Sequence, residues 1–104
     1  MGSWVWIESS GGIAGVTLTP ASTGETMAID FTAGGEARLS RNGTIERTVD
    51  FDTSPGAEKG SLVVSYGEPL WGFDTQTATF PDSATLVLTD PCCDGFTYRY
   101  VRAL

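Results

Sequence analysis

Asp90-Pro91-Cys92-Cys93-Asp94-Gly95-Phe96-Thr97-Tyr98-Arg99-Tyr100-Val101-Arg102 is the stretch whose reading decides the fold. Pro, Asp and Gly make a tight turn. The alternation after it sets Phe96, Tyr98, Tyr100 and Arg102 on one face of a strand, because successive side chains of extended backbone point to opposite sides. Three rings and a guanidinium in one row need a core to enter. At the other end, Trp4-Val5-Trp6 alternates in the same way. Two aromatic strands at the ends of a chain would be hazardous sheet edges, so they are expected to pair with each other and close a barrel.

Working outward from these ends, the chain of 104 residues holds a further series of short alternating runs. The first strand is expected over Ser3–Glu8, followed by a glycine-rich loop over Ser9–Gly15 and a short extended piece from Val16 to Thr19 that Pro20 ends. Thr26–Thr32 alternates Met27, Ile29 and Phe31 against polar partners. Glu36–Arg41 and Thr44–Phe51 flank Asn42-Gly43, the strongest short hairpin signal because it supplies two residues with φ > 0. That hairpin accounts for Asn42-Gly43-Thr44 without invoking a glycosylation acceptor. Asp52–Gly60 reads as a polar surface loop. Ser61–Tyr66, Gln76–Phe80 and Ala84–Thr89 supply the remaining strands, with a turn at Pro81-Asp82-Ser83.

The fold class expected is therefore all-β: a small eight-stranded antiparallel up-and-down barrel forming a single domain over residues 1–104. No stretch has a long helical pattern, and thirteen glycines with abundant Thr and Ser weaken helices further. The side chains expected to face inward are Trp4, Trp6, Met27, Ile29, Phe31, Leu39, Ile45, Val49, Phe51, Leu62, Val64, Tyr66, Phe80, Leu86, Leu88, Phe96, Tyr98 and Tyr100. Their bulk fills most of an eight-stranded interior, so any pocket is expected to be small.

Charge and composition exclude several functions. Thirteen acidic residues face six basic ones, giving a net charge of -7, which repels nucleic acid and anionic membrane surfaces. Histidine is absent, so imidazole acid-base chemistry and imidazole metal ligation are unavailable. No apolar run approaches the ~20 residues that cross a bilayer as a helix.

The residues that invite a chemical reading carry little chemistry. Cys92-Cys93 is the candidate redox pair. It reads as two thiols, a strained vicinal disulfide or an intermolecular bridge, and two cysteines are too few for a zinc site. Asp90 and Asp94 fit turn formation better than the oxygen shell calcium needs. The many serines have no base beside them to activate a nucleophile. No catalytic residue, metal or cofactor is assigned, and an enzyme is not expected. The apolar segment Leu70-Trp71-Gly72-Phe73 lies between chain breakers without a clean period. It is read as loop packing or as a lid, and with Tyr66 and Tyr98 it forms the candidate ligand-binding set.

Gly2-x-Trp4, the Ser9–Gly15 loop and the ending Leu86-x-Leu88-x-Asp90-x-Cys92-x-Asp94-Gly95-Phe96-x-Tyr98-x-Tyr100-x-Arg102 resemble the small bacterial lipocalin-like (calycin-type) domains of exported envelope lipoproteins. The resemblance implies an extracytoplasmic location with an export signal removed ahead of Met1. It also implies a barrel-closing pair of Trp4 with Arg102, since in these families a first-strand Trp packs beside a last-strand Arg. Guanidinium over indole is favourable on physical grounds as well. The chain is shorter than a typical lipocalin and has neither its C-terminal helix nor its second motif. Two functions follow as expectations: a monomeric, non-enzymatic domain that binds a small hydrophobic ligand at the open end of the barrel, or a packed barrel that meets a protein partner through its loops.

Overall fold

The first strand, β1 (Gly2–Gly11), and the last, β9 (Phe96–Arg102), pair antiparallel along their lengths, with Trp4 opposite Arg102 at one end and Gly11 opposite Phe96 at the other. In this computed structural model, which describes residues 1–11, 15–70, 73–91 and 95–103, that pairing closes the sheet. The other elements follow in order: β2 (Val16–Leu18), the single-turn helix α1 (Pro20–Thr23), β3 (Met27–Phe31), β4 (Glu36–Arg41), β5 (Thr44–Pro55), β6 (Leu62–Tyr66), β7 (Thr75–Asp82) and β8 (Thr85–Thr89). All pairings are antiparallel, and the circuit β1-β3-β4-β5-β6-β7-β8-β9-β1 is a closed eight-stranded barrel.

Nine strands fill eight positions because one position is shared. β3 pairs with the first half of β1, from Gly2 to Val5, and β2 pairs with its second half, from Ser9 to Gly11. Both run against β1, so β2 and β3 are two pieces of one barrel stave, interrupted by residues 19–26. The interruption is written in local chemistry. Thr19 caps α1 by accepting the Ser22 N–H at 3.1 Å, Ser22 Oγ returns a bond from the Thr19 N–H at 2.9 Å, and Pro20 occupies the first turn, where its missing N–H costs nothing. Gly24, at φ 70°, stops the helix in the left-handed region. At the neighbouring hairpin, Asn42 (φ 52°) and Gly43 (φ 82°) make the left-handed pair that joins β4 to β5.

Alternation explains the core. Trp4, Trp6, Ile29, Phe31, Leu39, Val64, Leu86, Leu88 and Tyr100 are buried and pack together, each aliphatic or phenyl group contributing roughly 1.5–3 kcal/mol. Two expected core residues depart from it. Ile45 is 57% exposed, because the register slips from Leu39↔Arg47 to Ser40↔Ile45, leaving Glu46 as an extra residue that turns Ile45 to the outside. Phe80 is 37% exposed, since the β7–β8 register shifts between Thr79 and Asp82. Its ring nevertheless stands 6.0 Å from Trp4 and covers that end of the barrel. A third departure is length: β1 extends to Gly11 through the first part of the expected loop, because residues 9–11 find partners on both sides.

The two ends of the barrel differ. At the end holding the chain termini of the barrel, the Arg102 guanidinium carbon lies 4.3 Å from the Trp4 ring centroid, and Arg102 Nε donates to the Ser83 carbonyl at 3.1 Å. Trp4 Nε1 donates to the Met1 carbonyl at 2.9 Å. This plug leaves Trp4 with no exposed surface. Among the described residues no helix is long and apolar enough to cross a membrane.

Candidate functional site

At the opposite end, the interrupted stave leaves a gap. There β1 has parted from β3 and been joined by β2, and residues 19–26 loop away from the wall. A cleft of about 210 Å³ lies beneath that excursion. Its walls are Trp6, Leu18, Met27, Phe96 and Tyr98, and its polar groups are Ser9, Thr23, Glu25 and Arg41. The β1 bulge between Trp6 and Glu8 brings Ser9 to the inner face, where its Oγ accepts the Trp6 indole N–H at 2.7 Å. Both groups are thereby fixed.

The charged rim is a triad. Arg41, at the end of β4, bonds Glu25 of the excursion through Nη1 and Glu46, the bulge residue of β5, through Nε at 3.0 Å. The Glu46 bond, opposed by partial burial and reinforced by Glu25, raises the Arg41 pKa above its ordinary value. The triad ties three segments together at the cleft mouth. Because it is exposed to about a third or more at each member, its worth is positional more than energetic.

Behind Tyr98 lies a buried polar chain. Tyr66 Oη donates to Gln76 Oε1 at 2.7 Å, and Gln76 Nε2 donates to Asp90 Oδ1 at 2.9 Å. The second carboxylate oxygen, Asp90 Oδ2, accepts the Phe96 N–H at 2.9 Å and stands 3.5 Å from Tyr98 Oη, a long contact. Gln76 and Asp90 are only 2% and 7% exposed, so these bonds replace water the groups cannot reach. Asp90 also clips the start of β9 through its main chain, whose N–H donates to the Phe96 carbonyl at 3.0 Å. Burial, and then the nearby Asp90 charge, pushes Tyr66 and Tyr98 above the ordinary phenol range. Tyr100, fully buried beside them, is raised chiefly by burial, with Tyr66, Tyr98 and Asp90 adding to it.

The expected ligand-binding residues are distributed as follows. Tyr98 borders the cleft. Tyr66 is committed to Gln76, Leu70 is buried in the core with its N–H on the Phe73 carbonyl at 3.1 Å, and Phe73 is half-buried. Trp71, Cys92 and Cys93 lie outside the described residues. Among the described residues no group of three or more metal-ligating side chains comes together.

No family model matches the chain, and no curated protein or solved structure matches it significantly. The fold and its site therefore stand on geometry alone. The residues that sequence reasoning did not assign to a site are Trp6, Ser9, Leu18, Thr23, Glu25, Met27, Arg41 and Phe96 of the cleft and Gln76 of the polar chain. For Gln76 a signal existed: in Thr75-Gln76-Thr77-Ala78-Thr79 the threonines take one face, so Gln76 shares the inner face with Ala78. For the cleft, the signal was Thr19-Pro20-Ala21-Ser22 followed by Gly24, a capped helical turn set between two strand pieces.

Proposed function

We propose that this chain is a non-enzymatic, lipocalin-like barrel that holds a small apolar or amphipathic molecule in the cleft beneath residues 19–26. The single observation that carries this reading is the cleft itself: an apolar pocket with a few convergent polar groups, opened where one stave of an otherwise filled barrel is broken. At about 210 Å³ it is smaller than sites for drug-sized ligands, which begin near ~300 Å³. A long acyl chain therefore exceeds it. An extracytoplasmic, envelope-lipoprotein setting belongs to the same proposal and draws on the sequence resemblance.

The test is a native mass spectrum of protein purified gently from a bacterial host, together with melting curves in the presence of small apolar molecules such as indole. A bound molecule at 100 times its dissociation constant adds ~2.7 kcal/mol of stability, a clear rise in Tm. The Met27→Trp variant, which fills the cleft from β3, should lose the rise. Melting curves that no probe shifts, or a rise that persists in the blocked variant, overturn the reading.

A second reading, a packed barrel that meets a protein partner, draws on β5. That strand has β4 on one edge from Thr44 to Asp50 and β6 on the other only from Phe51 to Pro55. Among the described residues its β6-facing edge from Thr44 to Asp50 has no strand paired to it, and the exposed Ile45 lies within that span. Against this reading, Glu46 and Arg47 put a bulge and two charges on the same edge, the features that discourage strand addition.

A further inference from the structure

We infer that the ligand class selected by the cleft is a compact cationic amphipath, a monocyclic aromatic amine in size and shape, with its ammonium at Glu25 and its ring between Trp6, Phe96 and Tyr98. The inference rests on the proposed binding function and adds the sign of the ligand's charge.

Three observations lead to it. First, the cleft is rich in aromatic side chains. Trp6, Phe96 and Tyr98 all border it, with the Phe96 and Tyr98 rings 6.1 Å apart. Rings attract a cation electrostatically through their negative faces, and they also bury an aromatic body well. Second, the charges around the cleft are unequal. Glu25 lines it, Glu46 stands on the far side of Arg41, and Asp90 lies behind Tyr98, whereas among the described residues Arg41 is the one lining cation. The Arg41 charge is already matched twice, by Glu25 and by Glu46. An incoming anion therefore meets a surplus of carboxylates on a chain whose net charge is -7.

An ammonium meets the reverse. A carboxylate has about four acceptor positions, and Arg41 occupies only part of the Glu25 set. The cation can add to Glu25 without breaking the pair that ties residues 19–26 to β4. Third, the volume is limited. At ~30 Å³ per molecule of liquid water, about 210 Å³ is the space of about seven waters, which suits one ring and a short arm.

The test compares three near-isosteric probes on the whole chain at low ionic strength: 2-phenylethylamine, 2-phenylethanol and 3-phenylpropanoate. Titrations followed by two-dimensional NMR read the Trp6 indole N–H and the Met27 methyl group. The expected result is saturable binding of the amine at least tenfold tighter than the alcohol, with the propanoate weakest. In the Glu25→Gln variant, the amine's advantage over the alcohol should disappear while the alcohol's affinity is retained. An alcohol or propanoate that binds as tightly as the amine, or an amine that binds Glu25→Gln undiminished, overturns the assignment of charge and leaves the cleft as a binding site. Failure of all three probes to move the Trp6 signal overturns the binding function beneath it.

Discussion

Raising the pH should unfold this barrel steeply, and the slope can be worked from three side chains. Tyr66, Tyr98 and Tyr100 are the three tyrosines of the chain, all are buried, and all have pKa values raised above 10 in the fold. In the unfolded chain each ionises near ~10. The folded state therefore retains protons that the unfolded state releases, and stability that is fully present below pH 10 is lost as the pH climbs towards the folded-state values. Well above pH 10, each tyrosine removes about 1.4 kcal/mol per pH unit, so three remove about 4. From neutrality to pH 11 the loss is about 4 kcal/mol, a large share of the ~5–15 kcal/mol that holds a small domain together. The assay is paired: tyrosinate absorbance near 295 nm and far-ultraviolet circular dichroism, recorded on the same titration. Ionisation and loss of structure should coincide in one sharp step well above pH 10. Tyr66→Phe should reduce the slope by about a third. A tyrosinate band that rises with a midpoint near 10 while the dichroism stays unchanged would refute the burial of these hydroxyls.

Two further outcomes test the wiring of each end of the barrel. Asp90→Ala strands the Gln76 amide and the Phe96 N–H without acceptors, at about 1–3 kcal/mol each, so a urea midpoint corresponding to a loss of about 2–6 kcal/mol is expected, with Asp90→Asn milder because one acceptor oxygen remains. A loss below 1 kcal/mol for the alanine would show the buried chain to be unimportant. Arg102→Ala removes the guanidinium from the Trp4 face and the bond to the Ser83 carbonyl, and should lower stability by about 1–2 kcal/mol, since the side chain is exposed. Arg102→Lys should recover less than half of that, and full recovery would mean that charge alone, without the planar stacking, accounts for the contact.

The strands and their closure were legible in the sequence because alternation is a local property. Trp4-Val5-Trp6 and Phe96-x-Tyr98-x-Tyr100 each announce an inner face, and Asn42-Gly43 announces a turn. What alternation cannot reveal is a slip in phase. The single extra residue at Glu46 sends Ile45 outward although its spacing from Val49 is correct for an inner position, and the bulge after Trp6 exchanges Glu8 for Ser9 on the inner face. The cleft was hidden for a related reason. It arises from two strand pieces sharing one partner, Val16–Leu18 and Met27–Phe31 both on β1, and alternation within each piece does not tell which half of β1 it will pair with. Leu70 belongs to an irregular apolar segment, but irregular backbone can still deliver a core residue, and Leu70 is buried with its N–H satisfied by the Phe73 carbonyl.

The pairing of β1 with β9 also sets how the barrel must assemble. Hairpins such as that at Asn42-Gly43 can form from neighbouring residues in microseconds. The seam between Trp4 and Arg102 must instead gather almost the full span of the barrel before it yields any hydrogen bond, and closing so large a loop delays the reward until late. While the barrel is synthesised, β1 can pair early with β3 on one edge, Trp4 against Ile29, but its other edge has no partner until Phe96–Arg102 has emerged. Closure of the seam is therefore expected to be the late step of folding, with the β9-facing edge of the first-made strand the last to find its neighbour.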